Sequence, residues 1–402
     1  MKQMRIGFLL GAGASLPAGM PCTEQLTEAV LHVESYQQNP DEYFEKVSSE
    51  SCDRSWPGNK LLLQLLLGNL KDRCNSYFDE ENKSREVNYE DIYFAASQLE
   101  EHLLEEYENP AIEPLTKALL EDLQPALLEH LRESVPQHLT GPSDGVQLRI
   151  ELKDLAVRAC HYIRSVVMLE LRREPTSRKH LTCLVDAICD PNVEACDIFT
   201  LNHDLLIERV LHEHRLVLVD GFREPEQGMA EWDAGSFERP SRHYLLKLHG
   251  SIDWVDHPAK GLVKTLSDVW ERAYDDGGDL RFPGQPGPKM LIGTFNKIRD
   301  YYGTPYFDLA ATFRRQLTRI NWLVVSGYSF GDKGINTALS EWMDSHQAAK
   351  ILVLHERGDQ CLDRARGAIR DRRNRMCFHD SHICATKWVD LRSRLSPDNP
   401  KR

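Results

Sequence analysis

The chain opens with a short apolar run that stops at a glycine-rich turn, RIGFLLGAGASLPAGM at residues 5–20. A near-continuous apolar run of this length predicts a strand buried on both faces, as in a parallel sheet. Gly11 and Gly13 let the backbone turn sharply and come close to a ligand. A helix is predicted to begin near Cys22, and a strand, glycine-rich turn and helix in this order can hold a phosphate. The stretch therefore predicts a dinucleotide site.

The motif is not specific by itself. A dehydrogenase fingerprint has a third glycine three residues after Gly13, where this chain has Leu16. A Walker loop continues into Gly-Lys-Ser or Gly-Lys-Thr, and neither follows here. A plain tight turn in an α/β protein is the alternative, so other motifs must decide between the two.

Composition excludes several classes of protein. With 41% hydrophobic and 28% charged residues among 402, the chain is globular rather than disordered. A formal net charge of -13 argues against a protein whose main task is to coat nucleic acid. No apolar run reaches membrane length, so we expect a cytoplasmic protein without a membrane contact.

The cysteines favour neither a disulfide framework nor a metal site. The sequence has 10 cysteines, and none of them forms a C-x-x-C pair. The closest grouping is Cys183, Cys189 and Cys196, for which free thiols are the default expectation. We therefore predict no metal.

The pattern of apolar residues divides the chain into three parts. Residues 1–24 hold the first strand and the glycine-rich loop, residues 25–190 form a helical insertion, and residues 191–402 complete the sheet. Within the insertion, Lys60–Leu70 predicts a buried helix and leucines recur every four residues from Leu115 to Leu131. Leu152–Leu171 predicts a further helix, and Asn88 is expected to cap a helix whose first turn is acidic.

After about residue 195, apolar strands alternate with loops and helices, which predicts a doubly wound parallel sheet. In open α/β sheets, ligands bind beyond the carboxyl ends of the strands. Polar or glycine-containing segments follow five predicted strands directly, so we expect them to face one crevice. These segments are Gly11–Ser15, Asn202–Asp204, His249–Ser251, Gly327–Phe330 and His355. Further strands are predicted at Arg215–Val219 and Lys289–Gly293.

Four of these motifs resemble the sirtuin family. They are Gly11–Ser15, Thr200–Asp204, Lys247–Ser251 and Ser326–Phe330, and they occur in the order found in that family. The resemblance covers about half of the chain. It implies a Rossmann-like NAD-binding sheet and cleavage of the bond between nicotinamide and ribose, with an asparagine and a histidine at the reacting centre.

The sequence also departs from the sirtuin deacylases. Their zinc module with two C-x-x-C pairs is missing, and a long helical insertion is present instead. This variant is similar to the sirtuin-like NAD hydrolases of bacterial anti-phage systems, which deplete NAD in abortive infection. Members of this size resemble the partner of a HerA-type DNA-translocating ATPase. By analogy, we expect a homo-oligomer that works with such an ATPase and reaches nucleic acid only indirectly, through the complex.

The resemblance also implies a role for individual residues. Asn202 would orient the ribose and the attacking water, and His249 would be the general base. The alternatives are a helix cap or turn residue for Asn202 and a buried structural histidine for His249. Asp204 is also expected at the cofactor site, where its carboxylate would fix the loop rather than contact the substrate.

The remaining cofactor contacts follow from the same resemblance. The glycine-rich loop is expected to hold the pyrophosphate through Gly11, Ala12, Gly13 and Ser15. Gly327 and Ser329 are expected near the adenosine half, and His355 near the adenine ribose. NAD+ is then a substrate.

Three interpretations of function stay open. The preferred one is an NAD+ hydrolase that gives nicotinamide and ADP-ribose. The others are an NAD-dependent protein deacylase and a non-enzymatic sensor or scaffold that binds NAD or ADP-ribose and controls an ATPase or nuclease. The sequence leaves open whether residues 258–288 form a lid and whether the arginine run at 364–375 is a solvated face or a contact with a partner.

Overall fold

The computed structural model describes most of the chain in segments. The described residues are 4–38, 44–46, 57–80, 86–105, 109–134, 144–226, 228–239, 241–257, 259–265, 288–293, 303–363, 365 and 367–395. The proposed lid therefore lies largely outside the described residues, as do Arg364 and Arg366 of the arginine run.

The described residues form eleven strands and ten α-helices. The strands are β1 (Met4–Leu10), β2 (Tyr36–Gln38), β3 (Phe44–Lys46), β4 (Val193–Thr200), β5 (Met229–Glu231), β6 (His243–Lys247), β7 (Trp254–His257), β8 (Gly261–Thr265), β9 (Trp322–Ser326), β10 (Lys350–Leu354) and β11 (Met376–His379). The helices are α1 (Thr23–Leu31), α2 (Pro57–Glu80), α3 (Tyr89–Leu103), α4 (Glu113–Ser134), α5 (Asp144–Leu171), α6 (Thr182–Cys189), α7 (Leu206–Glu213), α8 (Tyr306–Leu317), α9 (Lys333–Ser345) and α10 (Trp388–Leu395).

The chain divides into two compact units. The first is built from the described parts of Met1–Cys22, Leu171–Leu291 and Ile298–Arg402, and it contains the main sheet. The second is built from the described parts of Thr23–Glu170 and Ile292–Lys297, and it contains helices α1–α5.

A six-stranded sheet in the order β11-β10-β9-β1-β4-β6 organises the first unit, and all its neighbouring strands are parallel. Helices cover both of its faces. On one face Trp388 of α10 lies 6.5 Å from Phe8, measured between ring centroids. On the other face Phe313 of α8 packs edge-on against Phe199 at 4.8 Å. This confirms the predicted α/β, Rossmann-like doubly wound sheet.

Two predicted strands of this unit are wrong. In Arg215–Val219 only Val219 pairs, through a single bridge to Tyr244. Arg215 has a φ of +54°, a left-handed conformation that interrupts an extended chain. In Lys289–Gly293 only Met290 pairs, with Gly250. The sequence patterns also missed β11 and the antiparallel sheet β5-β8-β7.

The second unit is mainly helical, as predicted, with a short hairpin of β2 and β3 that was not. The predicted helix at Lys60–Leu70 lies inside α2 and is buried on one side only, because Leu61 remains 52% exposed. Asn88 caps α3 in a capping box with Asp91, which confirms the predicted cap. Within the described residues, no helix is both long and apolar enough to cross a membrane.

Candidate active site

The carboxyl ends of the six parallel strands are in register. Leu10 of β1 pairs with Thr200 of β4 and with Ser326 of β9, and Thr200 pairs with Lys247 of β6. Asn202 and His249 each lie two residues beyond the paired residues Thr200 and Lys247. The sheet therefore brings these two predicted catalytic residues to neighbouring strand ends.

The glycine-rich loop packs against the loop that follows β9. The Gly11 amide donates to the Ser326 carbonyl at 3.1 Å, and the Gly13 amide donates to the Gly327 carbonyl at 3.0 Å. A Cβ on Gly327 would lie 2.1 Å from the Ala14 nitrogen, and the φ of Gly327 is +68°. These glycines therefore allow the two loops to pack closely against each other. From the sequence alone, this role could not be distinguished from close approach to a ligand.

The amides of the glycine-rich loop are largely engaged within the protein. In addition to Gly11 and Gly13, the Ala14 amide donates to the Gly11 carbonyl, and the Ser15 amide donates to the Ala12 carbonyl. Ala12 itself is exposed. Binding of a pyrophosphate by this loop stays a prediction.

Asn202 follows β4, and its side-chain amide bonds to the glycine-rich loop that follows β1. Its Nδ2 donates to the Gly11 carbonyl at 3.1 Å and to Ser15 Oγ at 2.9 Å. Ser15 Oγ in turn donates to Asp204 Oδ2 at 2.8 Å. Both Nδ2 hydrogens are used in these bonds, so the group that Asn202 can offer a substrate is Oδ1, a hydrogen-bond acceptor.

Asp204 fixes the loop that follows β4, as expected. Its Oδ1 accepts a hydrogen bond from the Leu206 amide at 3.0 Å, at the first residue of α7. Its carbonyl accepts from Lys247 Nζ, which also pairs with Glu208 at 2.8 Å. The ammonium group of Lys247, at the end of β6, thus holds the loop that follows β4.

His249 is buried beside a carboxylate that the sequence patterns did not single out. The imidazole Nε2 lies 3.1 Å from Asp332 Oδ2, and the side chain is only 6% exposed. The ring of His203 lies 6.3 Å away between centroids. This distance places a carboxylate charge within ion-pair reach of the imidazole.

Asp332 is held by the start of α9. Its Oδ1 accepts a hydrogen bond from the Ile335 amide at 2.9 Å, the bond of a helix N-cap. Tyr328 Oη donates to Asn336 Oδ1 at 2.8 Å and accepts from the Asp332 amide at 3.3 Å. An acidic residue directly before a helix is a recognisable cap, but its second oxygen could be placed beside His249 only from the structure.

The other predicted residues lie at the same edge of the sheet with fewer contacts. Gly327 packs on the glycine-rich loop, and Ser329, two residues on, is exposed. His355 follows β10 and is half-buried, and its Nδ1 accepts from the Arg357 amide at 3.1 Å. Contact of these residues with an adenosine group stays a prediction.

A metal site and the arginine run at 364–375 were the other features that the sequence raised. Within the described part of the chain, no group of three or more His, Cys, Asp or Glu residues could hold a metal. The arginine run holds α9: Arg375 donates to the Met343, His346 and Ala349 carbonyls, and Arg372 pairs with Asp344 at 2.6 Å. Its described members are therefore in large part structural.

The fold and the strand-end residues define an α/β protein with a Rossmann-like sheet and buried polar residues at the carboxyl ends of its strands. Residues 197–379 match the family model of the SIR2-like domain, a segment of less than half of the chain. The segment contains Asn202, His249 and Asp332 and lies beyond the glycine-rich loop. The match supports a sirtuin-like family and an NAD-related function. No curated protein matches the chain.

Proposed function

We propose that the chain is an NAD+ hydrolase that cleaves the nicotinamide–ribose bond and releases nicotinamide and ADP-ribose. The observation that carries the proposal is the pairing of His249 with Asp332 beside the strand end that presents Asn202. A positioned acceptor and an oriented base at adjacent strand ends are the two groups that this reaction needs.

The reaction needs no general acid for departure of the leaving group. Nicotinamide leaves as a neutral ring, so the ribose passes through an oxocarbenium-like state without protonation of the leaving group. Water then adds to the ribose carbon, and its proton goes to His249, directly or through a ribose hydroxyl. A positioned general base of this kind contributes about 10²–10⁴-fold to the rate.

The two side chains divide this work. Asn202 Oδ1 accepts a hydrogen bond from the water or from a ribose hydroxyl, while its Nδ2 stays bound to Gly11 and Ser15. Asp332 Oδ2, which lies 3.1 Å from His249 Nε2, stabilises the imidazolium that forms. The glycine-rich loop is proposed to carry the pyrophosphate, with Gly327, Ser329 and His355 on the adenosine side.

In the cell, we propose that this activity depletes NAD+ in the cytoplasm during anti-phage defence and that a partner gates it. The proposed assembly is a homo-oligomer bound to a HerA-type DNA-translocating ATPase, which would bring it near nucleic acid. Mass photometry of the chain with and without the ATPase tests the assembly, and co-elution as one large species is expected.

Product analysis of NAD+ incubated with the purified chain tests the activity, with the HerA-type ATPase absent and present. We expect equal amounts of nicotinamide and ADP-ribose, and a loss of both in Asn202→Ala. Acetyl-ADP-ribose formed from an acetylated peptide would instead indicate a deacylase. Binding of NAD+ without products under either condition would indicate a sensor and contradict the hydrolase.

A further inference from the structure

The carbonyl groups of the glycine-rich loop are bound by histidines from distant parts of the chain. His180 lies in the short turn Lys179–Leu181 that precedes α6. Its Nε2 lies 3.1 Å from the carbonyl oxygen of Ala14, which is 166 positions away in the sequence. Because a carbonyl only accepts hydrogen bonds, Nε2 carries a proton and donates to Ala14. This side chain therefore fixes the direction of one carbonyl group of the loop.

The bond to the loop is the polar contact that a histidine at position 180 provides. The residue is 9% exposed, and no described residue bonds to its Nδ1. Burial lowers the pKa of the imidazole below its usual value, against the opposing effect of the bond to Ala14, so the ring is neutral at neutral pH. An apolar side chain would avoid the unmade bond of Nδ1. The contact that requires a histidine here is therefore the one with the glycine-rich loop.

A second imidazole approaches the preceding carbonyl of the loop. His382 follows β11, and the turn that it begins, Ile383–Ala385, packs against the turn that carries His180. Burial lowers the pKa of His382, and a hydrogen bond to the Gly13 backbone acts in the opposite direction, as a carbonyl acceptor does. The Gly13 amide already donates to Gly327, so the group that meets His382 is the Gly13 carbonyl.

The two histidines complete the bonding of two consecutive peptide groups. In a trans peptide group, the carbonyl and the amide point in opposite directions. One such group joins Ala14 to Ser15. Its carbonyl is bound by His180, and its amide donates to the Ala12 carbonyl at 3.0 Å. The preceding group is bound in the same way, by His382 at its carbonyl and by the loop itself at its amide. Both peptide planes are therefore held from two sides.

We propose that His180 is a positioning residue of the hydrolase, which holds the glycine-rich loop in the shape that binds the pyrophosphate of NAD+. The inference rests on the proposed function, which places the pyrophosphate at this loop. A loop whose peptide groups are already fixed loses little conformational entropy on binding, so it binds more tightly. Without His180, the Ala14 carbonyl is free to turn, and its partial negative charge disfavours a phosphate beside it.

Hydrogen exchange and isothermal titration calorimetry test the proposal on the full chain. ADP-ribose is the probe, because it carries the pyrophosphate of NAD+ and its binding needs no turnover. His180→Leu removes the donor at a similar side-chain volume, whereas His180→Gln keeps an N–H donor at a comparable distance from the backbone. In His180→Leu we expect the amides of residues 11–18 to exchange faster without ligand, and the Kd for ADP-ribose to rise about tenfold. His180→Gln should match wild type in both measurements.

Two further variants keep the test independent of a single substitution. His214→Leu is the matched control, because His214 also bonds a carbonyl, that of Val210 at 3.0 Å, but lies outside the loop. It should change neither the exchange of the loop amides nor the Kd. His382→Leu, at a half-buried position, should weaken binding in the same direction as His180→Leu, so it serves if His180→Leu does not fold.

The possible outcomes separate this proposal from the proposed activity. Wild-type affinity in both His180→Leu and His382→Leu would overturn the positioning role, and so would equal weakening in His180→Leu and His180→Gln. Failure of wild type to bind ADP-ribose would overturn it as well. The expected pattern of affinities without any cleavage of NAD+ would contradict the hydrolase and support the role of His180 in the loop.

Discussion

Three buried polar residues at the carboxyl edge of the main sheet differ in their hydrogen bonding from two at the amino edge. At the carboxyl edge, Asn202, Ser15 and Asp204 hydrogen-bond to one another and to the backbone. At the amino edge, Asp197 Oδ1 and Gln316 Nε2 have no partner among the described residues. The three residues of the carboxyl edge are held by their own bonds, whereas these two atoms of the amino edge are not. The comparison predicts that equivalent substitutions have opposite effects at the two edges.

The largest effect is expected for Gly327→Ala, which breaks the carboxyl edge. The added Cβ would lie 2.1 Å from the Ala14 nitrogen, so the two loops must separate. We expect a loss of roughly 3 kcal/mol or more of unfolding free energy, measured by urea denaturation. Gly358→Ala is the matched control, because its φ of +55° is similar and nothing lies within 4 Å of the new Cβ. An equal loss in both variants would show that backbone strain, and not packing of the loops, is the cause.

The amino edge makes stability depend on pH through Asp197. Its pKa rises from 3.8 to about 7 on folding, so the folded chain binds the proton more tightly between those values. Stability is therefore retained below about pH 4 and falls as the pH rises towards about 7. Between pH 5 and pH 8 we expect this residue to remove roughly 2–3 kcal/mol of unfolding free energy.

Asp197→Asn checks this directly, because asparagine cannot ionise. The difference in unfolding free energy between variant and wild type should shift in favour of the variant from pH 5 to pH 8. Taking the difference cancels titration of the other groups. A difference that does not change with pH would mean that the carboxyl is ionised throughout.

A matched pair of substitutions sharpens the contrast further. Ser15→Ala removes a hydroxyl that bridges Asn202 and Asp204, so we expect a loss of about 1–3 kcal/mol. Gln316→Leu removes a buried amide whose Nε2 is unsatisfied among the described residues, so we expect no loss or a small gain. Thermal unfolding of both proteins without ligand measures the difference. Similar losses in the two variants would contradict the contrast between the edges.

The sequence predicted much of this sheet and little of its fine geometry. Apolar runs such as Ile6–Leu10 and Trp322–Ser326 are buried on both faces, so pattern alone revealed five of its strands. β11 has the sequence MCFH and is partly exposed beyond its first residue, so it has no such signal. The pairing of Asp332 with His249 joins residues 83 positions apart (332 − 249) and could not be read from spacing. Asp197 lies within β4, and its burial depends on where α8 packs, which the sequence pattern does not reveal.

The smallest effect is expected for Asp332→Asn, which keeps a capping oxygen but removes the charge beside His249. We expect kcat to fall about tenfold, the equivalent of about 1.4 kcal/mol, with little change in stability. The lost charge no longer stabilises the imidazolium, so the fall should be in kcat rather than in KM. An unchanged kcat would assign Asp332 to capping alone.

The central claim is tested most directly by the rate of nicotinamide release from NAD+ by wild type and His249→Ala, with and without the proposed HerA-type ATPase. The account predicts that the variant is slower by about 10²–10⁴-fold while its melting temperature matches wild type. Release by His249→Ala at the wild-type rate would contradict the assignment of this histidine as the base.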